Sequence, residues 1–294
     1  MSATKRLVVC GGNGFLGSRI CKNAVQRGWD VTSISRSGAP RWDAVTSSAT
    51  PPPWSHKVTW ERGDILRPAT YAPLLRGADF VVHSMGILLE ADYKGVLRGQ
   101  ESPIAGLRKA FASGPRPGNP LQRGVDKSGG EDEDIRPPET REQLTYENMN
   151  RDSAITLAQE AAREHASAFV YVSAAGGAPV LPARYISTKR EAEATIAAEF
   201  PGMRSIFVRP PFLYDSSRPI TMPLAAVTGL GAVFNGVTRG MFSNLMGAGG
   251  VKPLKVDVVA EAIVQALSDE TVKGPVEVPQ IEELANKAWR STML

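Results

Sequence analysis

Short apolar runs alternate with amphipathic stretches through the first third of the chain. Residues 6–10, 30–35, 58–64 and 79–86 are rich in valine and other strand-favouring residues, and they predict four β-strands. Between the first two runs, apolar residues recur at helical spacing until Gly28, which predicts a helix that ends there. Strands that alternate with helices are typical of βαβ units, so the pattern favours a parallel sheet.

The same alternation returns in the second half of the chain. Helices are predicted at residues 146–165, 185–200 and 256–269, and strands at residues 168–174 and 203–210. The whole pattern predicts an α/β fold: a doubly wound parallel sheet of the Rossmann, NAD(P)-binding type. A small C-terminal substrate lobe is expected to accompany this sheet.

Two segments interrupt the alternation within what we interpret as one domain over residues 1–294. Residues 112–143 are polar and rich in glycine and proline, which predicts a flexible surface insertion. Residues 219–251 carry only Arg239 as a charge, but glycines and a proline break them too often for a membrane span. Within a lobe at residues 211–255, they either form a buried substrate pocket or an apolar lip that contacts the membrane.

Composition limits the class of protein without identifying it. The sequence is 42% hydrophobic and 22% charged, with a net charge of only +4 at pH 7, which does not indicate a nucleic-acid-binding protein. Cys10 and Cys21 have no disulfide framework, and Cys10 is interpreted as buried packing. Because His56, His83 and His165 are scattered, no metal site is expected.

The first 29 residues have an unusual charge distribution. They contain no acidic residue, whereas five basic residues occur there: Lys5, Arg6, Arg19, Lys22 and Arg27. Such a composition resembles a mitochondrial targeting segment, but it overlaps the first predicted strand and helix, so cleavage would destroy the fold. The alternative is a basic helix beside a phosphate group.

A glycine-rich turn separates the first strand from the first helix. Gly11, Gly14 and Gly17 form a G-x-x-G-x-x-G pattern, which permits a tight turn and close approach of a pyrophosphate. The amide groups at the start of the following helix favour phosphate. We therefore predict a dinucleotide site on this turn, which also includes three residues between the glycines: Asn13, Phe15 and Leu16.

The end of the second strand bears on the choice of dinucleotide. An NAD site usually has an acidic residue there, whereas this chain has Ser35 and Arg36. A guanidinium beside the ribose suits a 2′-phosphate, so NADP(H) is favoured over NAD(H). Asp64, followed by Ile65, either accepts a hydrogen bond from the adenine amino group or caps the next segment.

Further chemistry-bearing residues follow the later strands. Ser173 ends the strand predicted at residues 168–174, and Tyr185 and Lys189 occupy positions i and i+4 of the next helix. Together with the glycine turn, Asp64, Asn150 and the "HSMG" strand end, these residues resemble the ordered motifs of short-chain dehydrogenases/reductases. The segments "VVCGGNGFLGSRIC", "VTSISRSG" and "FVYVSAAGG" are similar to a narrower group of that superfamily. This group comprises fungal mitochondrial proteins of coenzyme Q biosynthesis and nucleotide-binding accessory subunits of respiratory complex I.

The resemblance implies roles for the three residues. Ser173 would bind the substrate oxygen, Tyr185 would exchange its proton, and Lys189 would bind the nicotinamide ribose while its charge lowers the pKa of Tyr185. It also implies a protein on the matrix side of the mitochondrial inner membrane, in peripheral contact with that membrane and with the coenzyme Q biosynthetic complex. Asn150 would relay a proton or brace its helix, and bracing is the favoured role.

Two functions follow from this resemblance. One is hydride transfer to or from a carbonyl or hydroxyl group of a lipophilic, quinone-like molecule. The other is a non-catalytic, nucleotide-binding accessory or regulatory subunit, either of the coenzyme Q complex or of complex I. A fold of this kind supports both, because function depends on the site rather than on the fold.

Overall fold

The computed structural model describes residues 4–46, 48–86, 120–121, 145–176, 183–215, 252–291 and 293. The predicted insertion at residues 112–143, except for two residues, lies outside the described part of the chain. So does the charge-poor stretch at residues 219–251, including both the pocket and the membrane lip predicted there.

Within the described residues, seven parallel strands form the main sheet, and two short strands pair separately. The strands of the main sheet are β1 (Arg6–Cys10), β2 (Asp30–Ser35), β3 (Val58–Arg62), β4 (Phe80–His83), β5 (Ala168–Val172), β6 (Arg204–Val208) and β9 (Gly274–Val276). The separate pair is β7 (Leu213–Tyr214) with β8 (Leu254–Lys255).

Helices connect these strands. The α-helices are α1 (Gly17–Gln26), α2 (Trp42–Val45), α3 (Ser153–Arg163), α4 (Ala183–Glu199), α5 (Val256–Ser268) and α6 (Val278–Ser291). A π-helical segment (Glu147–Asp152) leads into α3, and 3₁₀ turns occupy Pro53–Lys57, Pro68–Thr70 and Ala72–Leu75. None of the described helices is both long enough and apolar enough to cross a membrane.

The strand order of the main sheet confirms the predicted doubly wound fold. The order is β3-β2-β1-β4-β5-β6-β9, so the chain builds outward from β1 in one direction and then returns to continue from β4 in the other. Ligands of such sheets bind beyond the carboxyl ends of the strands where this reversal occurs. The glycine turn that follows β1 and the segment that follows β4 meet at this point, where the amide of Ser84 donates to the carbonyl of Cys10 (2.9 Å).

Two hydrophobic cores cover the two faces of the sheet, as the alternation along β1 illustrates. Leu7 and Val9 pack into the core beneath α1, α5 and α6. Val8 and Cys10 pack into the opposite core, beneath α3 and α4. Cys10 is buried in this core, which confirms the packing role predicted for it, and burial raises the pKa of its thiol to about 12.

The N-terminal helix packs against an element from the far end of the chain. Arg27, which follows α1, donates to Ser268 (2.6 Å) and to Gln265 (2.7 Å), two residues of α5. Ile20 and Ala24 of α1 and Val259 of α5 are buried in the same core. The first βαβ unit is therefore covered by α5, a helix that lies near the end of the sequence.

Three local features differ from the sequence-based predictions. The start of the helix predicted at residues 146–165 is π-helical. Strand β9 and helix α6 were not predicted. Strand β9 has only three residues, and Pro275 within it is tolerated because β9 lies at the edge of the sheet.

Candidate dinucleotide and catalytic site

The glycine turn after β1 is folded so tightly that side chains are excluded at Gly11, Gly12 and Gly17. A Cβ atom on Gly17 would lie 2.1 Å from the carbonyl oxygen of Gly11, and one on Gly12 would lie 2.4 Å from Ser33 Oγ. Gly11 has a φ of +90°, a conformation that other residues rarely adopt. The turn therefore presents bare backbone, which fits the close approach of a pyrophosphate.

Helix α1 begins on this turn with an end suited to an anion. No acidic residue occupies its first turn, and Leu16, which precedes the helix, has no side-chain group to cap the backbone amides. The guanidinium of Arg19 lies 5.6 Å from the ring centroid of Phe15 and forms an ion pair with Asp215. The positive end of the helix dipole and its first amides would hold phosphate oxygens here.

The expected adenosine end of the site lies beside β2 and β3. The side chain of Arg36 is exposed, and Asn13 of the glycine turn donates through Nδ2 to Ser37 Oγ (2.8 Å). Asp64 Oδ1 accepts from the amide of Leu66 (3.1 Å). Of the two roles predicted for Asp64, the structure thus contains the capping role, and the adenine contact remains a prediction.

The neighbour of Asp64 completes the predicted cofactor-binding set. Ile65 is buried in the core beneath α3, so its side chain supports the segment that follows β3.

Tyr185 and Lys189 share one face of α4, as their spacing predicts. The ammonium nitrogen of Lys189 lies 5.7 Å from the ring centroid of Tyr185. It also donates to the carbonyl oxygen of Val172 (3.1 Å), at the end of β5. The ring of Tyr185 packs edge-on against Tyr146, with 5.8 Å between centroids. The pair is therefore held at the carboxyl end of the sheet.

Burial shifts the pKa values of both residues of this pair. Burial raises the pKa of Tyr185 to about 12, and the positive charge of Arg190 opposes that effect. Burial lowers the pKa of Lys189 to about 7. In the protein alone, desolvation of the phenol outweighs the nearby charges, and the lowering of the Tyr185 pKa by Lys189 that the resemblance implies stays a prediction. Near neutral pH, Tyr185 is protonated.

Ser173 is held by the residue that follows Lys189. Arg190 donates through Nη1 to Ser173 Oγ (2.9 Å) and through Nη2 to the carbonyl oxygen of Ala174 (2.8 Å). The buried carboxylate of Glu193 accepts from Arg190 (2.7 Å). Because the oxygen of Ser173 accepts from a guanidinium, its own hydrogen is available for donation to another oxygen.

The π-helical segment positions Asn150 at the same place. Asn150 is fully buried, and its backbone carbonyl accepts from the hydroxyl of Tyr171. A Cβ atom on Gly86, just after β4, would lie 3.0 Å from Asn150 Oδ1 and 3.6 Å from Lys189 Nζ. Asn150 and Lys189 therefore converge on the backbone of Gly86, and π-helical segments often occur at such functional sites.

His83, at the end of β4, supports this arrangement from inside the protein. Its Nε2 lies 2.9 Å from Ser153 Oγ, and Ser153 itself donates to the carbonyl of Met149 (2.9 Å). Because Ser153 donates its only hydroxyl hydrogen to the carbonyl of Met149, Nε2 of His83 is the donor in the contact between His83 and Ser153. Burial lowers the pKa of His83 to about 3, so the ring is neutral and braces the π-helical segment.

Arg190 and Tyr171 are site residues that the sequence analysis missed. Tyr171 lies two positions before Ser173, so strand alternation places both on one face of the sheet. This spacing could have indicated Tyr171 from the sequence. Arg190 had no comparable signal, because its contact with Ser173 depends on how α4 packs against β5. Among the described residues, no group of histidine, cysteine or acidic side chains could hold a metal ion.

The buried lysine makes stability depend on pH. Between the pKa of about 7 in the folded protein and the ordinary value of 10.5, only the unfolded chain holds this proton, so the free energy of unfolding rises with pH. Between about pH 7 and 9, the free energy of unfolding of the wild type should rise by about 1.4 kcal/mol per pH unit relative to that of Lys189→Met. Urea unfolding of both proteins across this pH range measures the difference. The exposed-lysine control Lys273→Met should parallel the wild type, and a parallel profile for Lys189→Met would contradict the prediction.

The sheet reversal, the bare glycine turn and the polar cluster at the carboxyl ends of the strands define a Rossmann-type protein that binds a nicotinamide dinucleotide. Residues 7–94 match the NAD dependent epimerase/dehydratase family. MIOREX complex component 2 of Saccharomyces cerevisiae is 37% identical over 230 residues, which cover 72% of this chain and 74% of the yeast protein. The chain belongs to the NAD dependent epimerase/dehydratase family.

Other similar proteins agree with this fold. An uncharacterized chloroplastic protein of Arabidopsis thaliana is 26% identical over 297 residues, covering 97% of this chain and 78% of the plant protein. The enzyme WbmH of Bordetella bronchiseptica, solved in complex with NAD+, superposes with a TM-score of 0.54 at 17% identity, covering 99% of this chain and 83% of that chain. Vestitone reductase from alfalfa superposes with a TM-score of 0.51 at 17% identity, covering 92% of this chain and 76% of the alfalfa chain.

Proposed function

We propose that this protein is an NADP(H)-dependent reductase of the short-chain dehydrogenase type, acting on a carbonyl group of a lipophilic, quinone-like molecule. The observation that carries the proposal is the convergence of Lys189 and Asn150 beside Gly86, at the sheet reversal, with the ring centroid of Tyr185 5.7 Å from the Lys189 nitrogen. A cofactor on the glycine turn would extend its nicotinamide toward this cluster.

The protonation of the cluster favours reduction over oxidation. A phenol with a pKa of about 12 keeps its proton near neutral pH, so Tyr185 suits proton donation to a carbonyl oxygen that is gaining charge. The hydroxyl of Ser173, oriented by Arg190, would donate a second hydrogen bond to that oxygen. Lys189, with its ammonium near Tyr185, would bind the ribose hydroxyls and resupply the proton. The bound dinucleotide would supply the hydride.

Arg36 supports NADP(H) as the cofactor. It stands where an acidic residue would bind the ribose hydroxyl of NAD, and a guanidinium there favours a 2′-phosphate. Calorimetry with NADPH and NADH is the test of this preference. Arg36→Ala should weaken the binding of NADPH by about tenfold and leave NADH nearly unchanged. An equal loss for both dinucleotides would contradict the role of Arg36.

A second function is a dinucleotide-loaded accessory subunit. A yeast relative that is a component of a complex favours it, as does the engagement of Lys189 with the backbone of Val172. In both cases we propose a mitochondrial protein on the matrix side of the inner membrane, working with the coenzyme Q biosynthetic complex. The similarity to the yeast MIOREX complex component supports the mitochondrial part of this location.

Complementation separates the two functions. We expect S. cerevisiae lacking MIOREX complex component 2 to contain less coenzyme Q and this chain to restore it, whereas a chain with Tyr185→Phe and Lys189→Ala should not, because proton donation is lost. The matched control is Tyr71→Phe with Lys273→Ala: the Tyr71 hydroxyl has no hydrogen-bond partner among the residues that the structure describes, and Lys273 is exposed. Full restoration by the Tyr185/Lys189 variant would favour the accessory subunit, and failure of the wild type would contradict both functions.

A further inference from the structure

A second arginine lies beside the turn that carries Arg36. In the register of β2 and β3, Ser35 is paired with Arg62, so the two strands end side by side. A Cβ atom built on Gly38 would meet Arg62 Cγ at 3.5 Å and Arg62 Nε at 3.8 Å. The Arg62 side chain therefore runs along the turn formed by residues 36–38 rather than away from it.

The backbone of that turn is fixed on both sides. The hydroxyl of Ser35 donates to the carbonyl of Gly38 (2.8 Å), and the amide of Gly63 donates to the carbonyl of Ser35 (3.0 Å). Asn13 donates to Ser37 Oγ (2.8 Å), which joins the turn to the glycine turn. The Ser37 hydroxyl accepts this bond and keeps its own hydrogen for donation.

The charges around the turn at residues 36–38 are unbalanced in favour of binding an anion. Asp43 forms an ion pair with Arg41 (2.6 Å), and Asp64 lies 3.9 Å from Arg67. Neither Arg36 nor Arg62 has an ion-pair partner in the described part of the chain. Two guanidinium groups without a carboxylate thus flank one rigid turn at the expected adenosine end of the site. Such a pair of guanidinium groups suits the oxygens of a phosphate monoester.

We propose that Arg62, together with Arg36 and the Ser37 hydroxyl, forms the subsite for the 2′-phosphate of NADP(H). The inference rests on the proposed cofactor preference and extends it to a residue on a different strand. Arg62 binds the phosphate from the β3 side and Arg36 from the β2 side, so the phosphate is held between two strand ends. Replacement of either arginine should weaken NADPH binding without affecting the pyrophosphate turn.

Calorimetry tests the role of Arg62 directly. Arg62→Gln should weaken the binding of NADPH and of adenosine 2′,5′-bisphosphate by about tenfold, with NADH and AMP changing less than about twofold. The matched control Arg76→Gln removes an exposed arginine that precedes β4, at the opposite end of the sheet, and should leave all four ligands unchanged. Adenosine 3′,5′-bisphosphate should bind more weakly than the 2′ isomer, because the subsite is specific for the 2′ position.

The outcomes separate this inference from the proposed function. If the wild type binds NADPH no better than NADH, both the NADP(H) preference and the Arg62 subsite are wrong. If the wild type prefers NADPH and loses that preference with Arg36→Gln but not with Arg62→Gln, only the role of Arg62 is wrong. Equal losses for NADPH and NADH with Arg62→Gln would show that Arg62 supports the fold rather than the phosphate.

Discussion

Replacing Gly17 with alanine should abolish dinucleotide binding. The added methyl group would lie 2.1 Å from the carbonyl oxygen of Gly11, well inside van der Waals contact, and that oxygen belongs to the backbone of the binding turn. The turn must therefore open, which displaces the amides that would hold the pyrophosphate. We expect the affinities for NADPH and NADH to fall by about 100-fold or more. The free energy of unfolding should fall by roughly 3 kcal/mol, the order expected of severe overpacking.

A graded series of glycine substitutions controls this result. A Cβ atom on Gly14 would lie 3.1 Å from the same carbonyl oxygen, so Gly14→Ala should have a smaller effect. A Cβ atom on Gly202 would have no neighbour within 4 Å, so Gly202→Ala should leave both affinity and stability nearly unchanged. Calorimetry with urea unfolding of each variant provides the comparison. Wild-type affinity in a folded Gly17→Ala protein would refute the role of the turn.

Replacing Glu193 with alanine should cause the largest loss of stability among single substitutions of charged residues. Its carboxylate is buried, and it accepts from Arg190 (2.7 Å) and from Arg209. Without Glu193, these two guanidinium groups lose their principal buried counter-charge, which typically costs about 3–5 kcal/mol. The same substitution releases Arg190 from Glu193, so the restraint on Ser173 should weaken as well.

Urea unfolding with an exposed ion pair as the control tests this expectation. Glu282 lies 3.2 Å from Lys252, and both side chains are well exposed, so Glu282→Ala should lower the free energy of unfolding by less than about 1 kcal/mol. A double-mutant cycle of Glu193→Ala with Arg209→Ala isolates the coupling energy of that pair. Equal losses for Glu193→Ala and Glu282→Ala would mean that the buried network does not stabilise the protein.

Local patterns predicted most of the fold because β1, β2 and the glycine turn are formed by neighbouring residues. A β-branched run, a glycine at each critical position and an amphipathic helix follow one another within about 20 residues, so the sequence alone determines the motif. The shared face of Tyr185 and Lys189 was predictable for the same reason, because helical spacing alone places positions i and i+4 together.

Features that depend on packing were beyond the sequence. The contact of Arg190 with Ser173 arises only when α4 lies against β5. The pKa of Tyr185 is raised by burial, and burial is a property of the assembled fold rather than of the motif. Strand β9 was missed because three residues that include Pro275 give no periodic signal, although they complete the edge of the sheet.

The contact between α1 and α5 has a consequence for how the protein folds during synthesis. Arg27 and Gln265, which join the two helices, are 238 positions apart in the chain. The side of α1 that packs against α5 thus remains uncovered on the nascent chain until α5 has left the ribosome. Contacts between such distant segments slow folding and expose an intermediate to aggregation. We therefore expect chaperones to assist until α5 packs against the first βαβ unit.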